Sequence, residues 1–551
     1  MAGVRRSALW SAMGLLCLTV GALAWNMLSM REQLLRVQDE ADFFRRAWIL
    51  KVGKARKSAE QFAVWQDLYD TWTPPVFAWT EPARRRQDID VLVIGGNPGG
   101  IAAAIAAARL GARVTLTDEH PWVGGVWTVE GVSVPDEVGR HVPPDTKGIV
   151  GEFQRRVWRC YRDDLVSNRL SSWPFLPWDG ARILADMLSE AKVDVRVGTR
   201  FLEPIMRDRE IIGARFQSGK RALELRAPRV VDATWNGDVA VSCGCRCSSG
   251  RECRAETGEV WAPREPDNRE NCITYVLIVR DTGRRVAPPQ RPPGYDPDRY
   301  GPGVQWYTPD DSAHPSLYQY GLLPRKHVMI NWPDYGNDLE VRGYCCAPPA
   351  ERQRIEREAK NLALGFWYYL KTDRNYARDT RNWALARDFG TPDRLPFSPY
   401  HRTGRRIRCE YILNAHDIVP RCEYPQASEP PPTVFDDIVA LGDYPIDTHG
   451  DWPNRPKVAQ RFFSIPYRSL VPRSVDGLVI GDMAIGSTFL AQSAIRLQPT
   501  RMRIGQAAGV AAAASLKLGV EPRELDPGVV RTLLLRQNAS IYPPAAFATK
   551  R

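Results

Sequence analysis

Five polar residues in the C-terminal part of the chain have types and spacings that suit acid–base chemistry. Asp447 and His449 stand two apart in DYPIDTH, so they would share one side of an extended segment and could hold or pass a proton. Tyr467 and Arg468 follow in IPYRS, and Arg496 in AIRLQPT could anchor a carboxylate. For each of them a structural hydrogen-bond network is an equally good interpretation. Two further histidines lack such neighbours, and we expect ordinary roles for them: His401 and His416.

The elements that must position such residues begin at a glycine-rich turn, VLVIGGNPGG. Residues 88–94 predict a buried strand, residues 95–100 a turn, and residues 101–110 an alanine-rich helix. A second strand over residues 113–117 leads to Asp118. Bare backbone N–H groups at such a helix start bind phosphate, and an acid at the end of the second strand accepts hydrogen bonds from a ribose. The pattern predicts a dinucleotide site, with tight strand-to-helix packing alone as the alternative.

The turn departs from the usual GxGxxG spacing at its middle position. The three positions are Gly95, Asn97 and Gly100. Asparagine tolerates a left-handed backbone better than most residues. We therefore expect the turn to be kept, with Asn97 in the place of a glycine.

Segments farther along the chain extend this pattern. A second glycine pair, Gly124 and Gly125, comes shortly after the acidic residue, and VDVRVG, IIGARF, ALELRA and RVVDAT predict short strands between residues 193 and 234. GLVIGD predicts another strand, ending at Gly481 and Asp482. A helix over residues 499–518 contains GQAAG, whose small residues could serve simply as a packing face.

Taken together, these stretches resemble the two-dinucleotide-binding flavoproteins of the glutathione reductase type. Within them the chain is similar to the FAD-dependent oxidoreductase family that includes relatives of the flavin-carrying chain of heterodisulfide reductase. The resemblance rests on DVLVIGGNPGGIAAAIAA, RVVDATWNGDVA, ALGDYPIDTH, IPYRSLVP, LVIGD and AIRLQPTRMRIGQAAGVAAA, spread discontinuously over residues 88–520. Trp235 stands where the family's DATG segment has a glycine.

The resemblance implies bound FAD and assigns its contacts. The pyrophosphate would lie at the first turn, the adenosine ribose at Asp118, and the ribityl chain at Asp482. The positive end of the late helix would stabilise an anionic reduced flavin. The implied cofactor-binding residues are Gly95, Asn97, Gly100, Asp118, Gly124, Gly125, Ala233, Thr234, Gly481, Asp482 and Gln506.

Two missing patterns narrow the reaction. No second glycine turn for NAD(P)H follows residue 150, and no CxxxxC redox pair follows the first segment, which argues against a pyridine-nucleotide disulfide reductase. We expect hydride or electron exchange between a small organic substrate and flavin N5, with an electron acceptor that the sequence does not name. The alternatives are an electron-transfer or scaffold subunit that docks a partner protein, and a lipid or polyisoprenoid reductase at a bilayer surface.

The composition is that of a globular protein of several domains. The 551 residues are 44% hydrophobic, and the net charge of +11 comes from arginines interspersed with acids, which favours no nucleic-acid partner.

The predicted fold class is α/β, a Rossmann-like FAD domain with a β-meander and an inserted α+β substrate domain. The predicted segments are a membrane anchor at 1–30, a helical stalk at 31–70, a linker at 71–87, FAD-binding parts at 88–242 and 461–520, a substrate cap at 243–460, and a C-terminal helix and tail at 521–551.

The N-terminal segment predicts a single membrane-spanning helix. Residues 7–30 carry no charge and are long enough to cross a bilayer, although Ala22-Leu23-Ala24 would also suit a cleaved signal peptide. Apolar residues then recur every three or four positions from Met27 to Trp48, which favours a stalk that pairs with a second copy or packs on the enzyme. We expect the catalytic part to lie outside the cytoplasm.

Eleven cysteines leave the redox compartment open. Four of them cluster as CxCxCxxxxxC, at Cys243, Cys245, Cys247 and Cys253. The spacing lacks the CxxC pairs of common metal sites, so a structural role is the main interpretation and a 4Fe-4S cluster the alternative that the family suggests. We expect no other metal site.

Overall fold

The computed structural model describes residues 89–135, 147–168, 170–300, 316–419, 434–450 and 462–541. The predicted anchor, stalk and linker lie outside these residues. Within the described ranges, no helix combines the length and apolar character needed to cross a membrane. The described residues all belong to one compact unit.

Most strands in the described part of the chain are short, and the longest, β4 and β5, have nine residues each. They are β1 (Val91–Ile94), β2 (Val114–Thr117), β3 (Asp194–Arg196), β4 (Thr199–Arg207), β5 (Glu210–Ser218), β6 (Arg221–Arg226), β7 (Arg229–Asp232), β8 (Cys247–Ser248), β9 (Ile273–Thr274), β10 (Leu277–Asp281), β11 (Leu322–Leu323), β12 (His327–Ile330), β13 (Asp338–Leu339), β14 (Trp383–Leu385), β15 (Arg406–Ile407), β16 (Ile438–Gly442), β17 (Phe463–Pro466) and β18 (Leu478–Ile480).

The α-helices vary more in length. They are α1 (Pro98–Arg109), α2 (Gly148–Tyr161), α3 (Pro177–Glu190), α4 (Asp238–Ser242), α5 (Arg254–Thr257), α6 (Leu317–Gly321), α7 (Pro349–Thr372), α8 (Ala377–Thr380), α9 (Ala415–Ile418), α10 (Phe489–Ile495), α11 (Gln498–Leu518) and α12 (Pro527–Arg536).

A five-stranded parallel sheet forms the centre of the nucleotide-binding part. Its strand order is β18-β7-β1-β2-β3, with Val91 beside both Val114 and Arg229, and Leu478 beside Val230. Strands β1, β2, β7 and β18 are buried along their whole length, as expected for a parallel sheet covered on both faces. The predicted α/β fold with a Rossmann-like sheet is therefore confirmed.

Helix α1 begins earlier than the sequence pattern indicated. It starts at Pro98 instead of residue 101, so Gly99 and Gly100 belong to its first turn. Proline is favoured in the first helical turn because its fixed φ suits the helix and its missing N–H would have no partner there. The prediction took the whole glycine run as a turn and misplaced this boundary.

Antiparallel sheets make up the rest of the fold. Strands β4, β5 and β6 form the predicted meander, in which β4 was missed because most of its residues are partly or fully exposed. A four-stranded sheet of order β11-β12-β10-β14 lies in the insert, whose own apolar core draws on residues between Ile273 and Leu395.

The predicted boundary at 460/461 falls between two strands that pair. Strand β16 is antiparallel to β17, and Ala440 lies beside Ile465. Ile407 and Val439 belong to the apolar core that surrounds the parallel sheet. The segment that carries Asp447 and His449 is thus attached to the nucleotide-binding core rather than to the insert's separate core.

Candidate active site and cofactor cradle

The turn between β1 and α1 depends on glycine at both ends. Gly95 has a φ of +105°, and a β-carbon there would lie 2.6 Å from the carbonyl carbon of Ala233 in the neighbouring segment after β7. A β-carbon on Gly100 would overlap the backbone oxygen of Gly95. The backbone can therefore turn this tightly only because side chains are absent.

Asn97 does not take the left-handed conformation that the sequence suggested. Its φ of −68° and ψ of 170° are extended, as is usual for the residue that caps a helix start. Its Nδ2 donates to the backbone oxygen of Ala233 at 3.0 Å, and its side chain packs against Gly125. The asparagine thus links three predicted cofactor segments, because its side chain reaches across a space that a glycine would leave open.

Asp118 lies beside the turn, where the ribose prediction requires an acid. One carboxylate oxygen accepts from Gly96 N at 2.6 Å and the other from His120 N at 2.8 Å. Burial alone would lower the pKa of His120, but the hydrogen bond and charge of Asp118 outweigh it and raise that pKa to about 9. A carboxylate has about four acceptor positions, so Asp118 retains capacity for a ribose hydroxyl.

The segment after β7 is anchored by a buried carboxylate. Asp232 accepts from Thr234 N, Thr234 Oγ1 and Ala240 N at 2.7–3.0 Å. Burial raises the pKa of Asp232 to about 6, although these donors oppose the shift. Across the turn, Gly124 N donates to Gly96 O at 2.7 Å, so both glycine-rich segments are fixed against each other.

Asp482 connects the late βα unit to the first one. Its Oδ2 accepts from Gly99 N at 3.1 Å, and its Oδ1 accepts from Met483 N at 2.7 Å and from Arg501 Nε at 2.6 Å. Burial raises the pKa of Asp482, with Arg501 opposing the shift. The predicted ribityl contact would have to share these oxygens.

Gln506 ties α11 to other helices. Its Oε1 accepts from Ile149 N at 3.3 Å, and its Nε2 donates to Gln537 at 3.2 Å. Its predicted contact with the cofactor stays a prediction.

A row of alternating basic and acidic side chains lies close to the start of α11. We call it the charge network, and its members in spatial order are Arg402, Asp338, His449, Asp447 and Arg496. Arg402 contacts Asp338 at 3.1 Å, His449 Nδ1 contacts Asp338 at 2.7 Å, His449 Nε2 contacts Asp447 at 3.2 Å, and Arg496 contacts Asp447 at 2.6 Å. The structure thus brings together three of the five residues singled out for acid–base chemistry.

Both carboxylates of the charge network are held ionised. Burial opposes the charge of Asp447, but His449 and Arg496 outweigh it, so the pKa of this carboxyl lies far below its usual range. The pKa of Asp338 is lowered in the same way by Arg402 and His449. The Asp447 side chain is 32% exposed against 3% for Asp338, so Asp447 is the member that a small molecule could reach.

Tyr467 and Arg468 make different contacts. The hydroxyl of Tyr467 donates to Pro522 O at 2.6 Å, and Arg468 pairs with Asp437 at 2.9 Å. The structure does not bring either of them to the charge network.

Comparison with known proteins settles the family. The sequence model described as FAD dependent oxidoreductase matches residues 90–534, which is most of the chain. The protein belongs to the FAD dependent oxidoreductase family. The residues present fit FAD at the first turn, because its glycines let the backbone come close to a phosphate and an acid follows β2 at the expected place. A phosphate there would share the start of α1 with Asp482, which accepts from Gly99 N.

The chain is also similar to two digeranylgeranylglycerophospholipid reductases. Over 279 residues it is 29% identical to digeranylgeranylglycerophospholipid reductase of Methanosphaerula palustris, covering 47% of this chain and 62% of the relative. The enzyme of that name from Thermoplasma volcanium is 30% identical over 154 residues, covering 26% and 38%. The chain therefore matches less than two thirds of either relative's length.

A solved structure of a geranylgeranyl bacteriochlorophyll reductase-like protein from Thermoplasma acidophilum aligns with a TM-score of 0.33. The alignment covers 82% of this chain and 83% of that one at 10% identity.

The sequence did not predict a second buried cluster of interacting side chains in this FAD dependent oxidoreductase. His401, expected to be ordinary, contacts Glu130 at 2.9 Å and the hydroxyl of Tyr344 at 3.1 Å, and its ring stacks on Trp235 at 3.9 Å. Trp235 therefore packs on a histidine where the family has a glycine. Asp338 and Arg402 were missed as well, because their partners in the charge network lie far away in the chain.

The four clustered cysteines do not form a metal site in the described ranges. There, no three side chains of His, Cys, Asp or Glu could jointly hold a metal ion, and the cysteines are thiols. Burial raises the pKa values of Cys243, Cys245 and Cys247. FAD is therefore the cofactor that the family supports, and nothing in this region favours an iron-sulfur cluster.

Proposed function

We propose that this flavoprotein exchanges hydride between a small organic substrate and flavin N5, with the charge network as its acid–base site. When bound, FAD would supply the two-electron acceptor or donor. The observation that carries the proposal is the position of His449 between two ionised carboxylates, close to the start of α11. In the resembling flavoproteins that helix start faces the flavin.

The network assigns a different task to each member. The shorter contact, from His449 Nδ1 to Asp338, orients the ring, because Asp338 is buried and also held by Arg402. The longer contact, from His449 Nε2 to the more accessible Asp447, is the one that a substrate hydroxyl or amine would replace. Loss of hydride from carbon leaves a proton on the attached oxygen or nitrogen, and Nε2 would take it.

Arg496 would hold the substrate in place for this proton transfer. It donates to Asp447 and to the hydroxyl of Tyr400. A substrate carboxylate could replace Asp447 at this guanidinium with the same geometry.

Anaerobic bleaching of the flavin tests the proposal. The full-length holoenzyme is mixed with alcohols, amines, sugars and NAD(P)H in turn, and loss of the visible flavin band is followed. A compound that bleaches the wild type should do so about 100-fold more slowly with His449→Gln, because general acid–base catalysis contributes a factor of this order. Tyr467→Phe is the matched control and should keep the wild-type rate.

Two results would contradict this function. Equal bleaching rates for His449→Gln and the wild type would remove the charge network from the reaction. If the protein shows no flavin band after reconstitution with FAD, FAD is not its cofactor.

A second candidate function is reduction of prenyl double bonds. It is favoured by the similarity to digeranylgeranylglycerophospholipid reductases. Chemically reduced holoenzyme would then be reoxidised by a geranylgeranyl lipid in detergent, and alcohols and amines would leave the oxidised flavin unchanged. Reoxidation by an electron-transfer protein alone would instead favour a role in relaying electrons to a partner.

A further inference from the structure

The most unusual buried group outside the charge network is the guanidinium of Arg501. This residue lies in the first turn of α11, and its side chain is 0% exposed. Nε donates to Asp482 at 2.6 Å, but neither terminal nitrogen, NH1 or NH2, has a hydrogen-bond partner in the described ranges. A guanidinium has five N–H donors, so leaving four of them unpaired in the interior is costly.

The helix packing shows where Arg501 lies along α11 relative to α1. Gly505 contacts Gly99, and Gly509, one turn later, contacts Ala103. The two helices therefore run side by side in the same direction, and four residues along α11 match four residues along α1. Arg501 lies one helical turn before Gly505. By the same spacing, it lies at the level of the glycine turn that precedes α1.

A second link fixes the same position. Asp482 accepts from Arg501 with one oxygen and from Gly99 N with the other. The guanidinium is thus joined through a single carboxylate to the first turn of α1. The start of α1 and an incompletely paired arginine meet at one place, and both of them favour negative charge.

We infer that Arg501 binds the diphosphate of the bound FAD through NH1 and NH2. A diphosphate suits it because arginine pairs with phosphate oxygens through two parallel hydrogen bonds. Asp482 is then a positioning residue that aims the guanidinium. The inference rests on FAD as the cofactor and not on the charge network or its substrate.

Nucleotide affinity tests this role without any turnover. Full-length protein is freed of flavin, and the dissociation constants of FAD and riboflavin are measured by flavin fluorescence for the wild type and for Arg501→Gln. Riboflavin has no phosphate, so the variant should lose at least about tenfold in FAD affinity and little in riboflavin affinity. Inorganic pyrophosphate should compete with FAD in the wild type and less well in the variant.

Arg503→Gln is the matched control. Arg503 is two residues farther along the same helix, is nearly as buried, and contacts Asp443. Its loss should leave the ratio of FAD to riboflavin affinity unchanged.

The other outcomes would overturn the inference. Equal losses of FAD and riboflavin affinity would show that Arg501 acts only by supporting the fold through Asp482. Unchanged FAD affinity, with loss of spectral shifts caused by small carboxylates, would place Arg501 in a substrate site. Arg501→Lys, which keeps a charge beside Asp482, serves if the glutamine variant does not fold, and the same comparison of ligands applies to it.

Discussion

Gly505 of α11 lies directly against Gly99 of α1, so closely that a β-carbon on Gly505 would overlap the backbone oxygen of Gly99. The contact holds the late helix to the turn that is predicted to bind the cofactor. A side chain of any size would push the two helices apart at the point where Asp482 bridges them.

We expect Gly505→Ala to weaken both stability and cofactor retention. Overpacking of this kind costs about 1–3 kcal/mol, which outweighs the helix propensity that alanine gains. Urea unfolding and the rate of FAD release measure the two effects. Leu518→Ala, at an exposed position of the same helix, should change neither, and a Gly505→Ala variant as stable as the wild type would contradict the close packing.

The pair of His120 and Asp118 should make stability depend on pH. The folded-state pKa of His120, about 9, lies above its unfolded value of 6.5, so its contribution is complete below about pH 6.5 and is lost as the pH rises through 9. The free energy of unfolding should fall by about 3 kcal/mol over this window in the wild type. His120→Gln should flatten that part of the curve, and identical curves would show that the pair adds nothing.

Cys346 should be the thiol that alkylates fastest in mild acid. The hydrogen bond from Cys345 is the main cause that lowers the pKa of Cys346 to about 5, and Cys346 is exposed. At about pH 6 it would be almost fully thiolate, whereas an ordinary thiol would be about 0.3% thiolate. The weaker nucleophilicity of a low-pKa thiolate offsets part of this gain and leaves about a tenfold advantage.

Peptide mapping after a short iodoacetamide pulse checks that expectation. Cys345→Ser keeps a hydroxyl donor beside Cys346 and should keep most of the rate, while Cys345→Ala should slow it. Preferential labelling of Cys247 instead would contradict the assignment.

The apolar N-terminal segment should hold the full-length protein in membranes. We expect detergent, but not high salt, to release it. Leu16→Arg combined with Val20→Arg should move the protein to the soluble fraction, because each charge at a helix centre costs about 2.5–3.5 kcal/mol of insertion energy. Leu16→Val with Val20→Leu is the control and should stay in the membrane fraction.

The sequence predicted those parts of the fold that depend on local pattern. Continuous apolar runs predicted β1, β7 and β18, and the two-residue spacing predicted that Asp447 and His449 would meet. Asp338 and Arg402 could not be found in this way, because they lie on separate elements that only the tertiary fold brings to His449. Asn97 lies at the start of α1, but its side-chain bond to Ala233 was not foreseeable from a rule about backbone conformation.

The order of strands in the parallel sheet has a consequence for biosynthesis. Strand β18 is made last and pairs with β7, and α11, which covers the alanine face of α1, follows it in the chain. A ribosome therefore completes the other four strands of the sheet long before β18 and α11 exist. Until translation has passed residue 518, the nascent chain presents a bare sheet edge and an uncovered helix face, which are the surfaces that chaperones protect from aggregation.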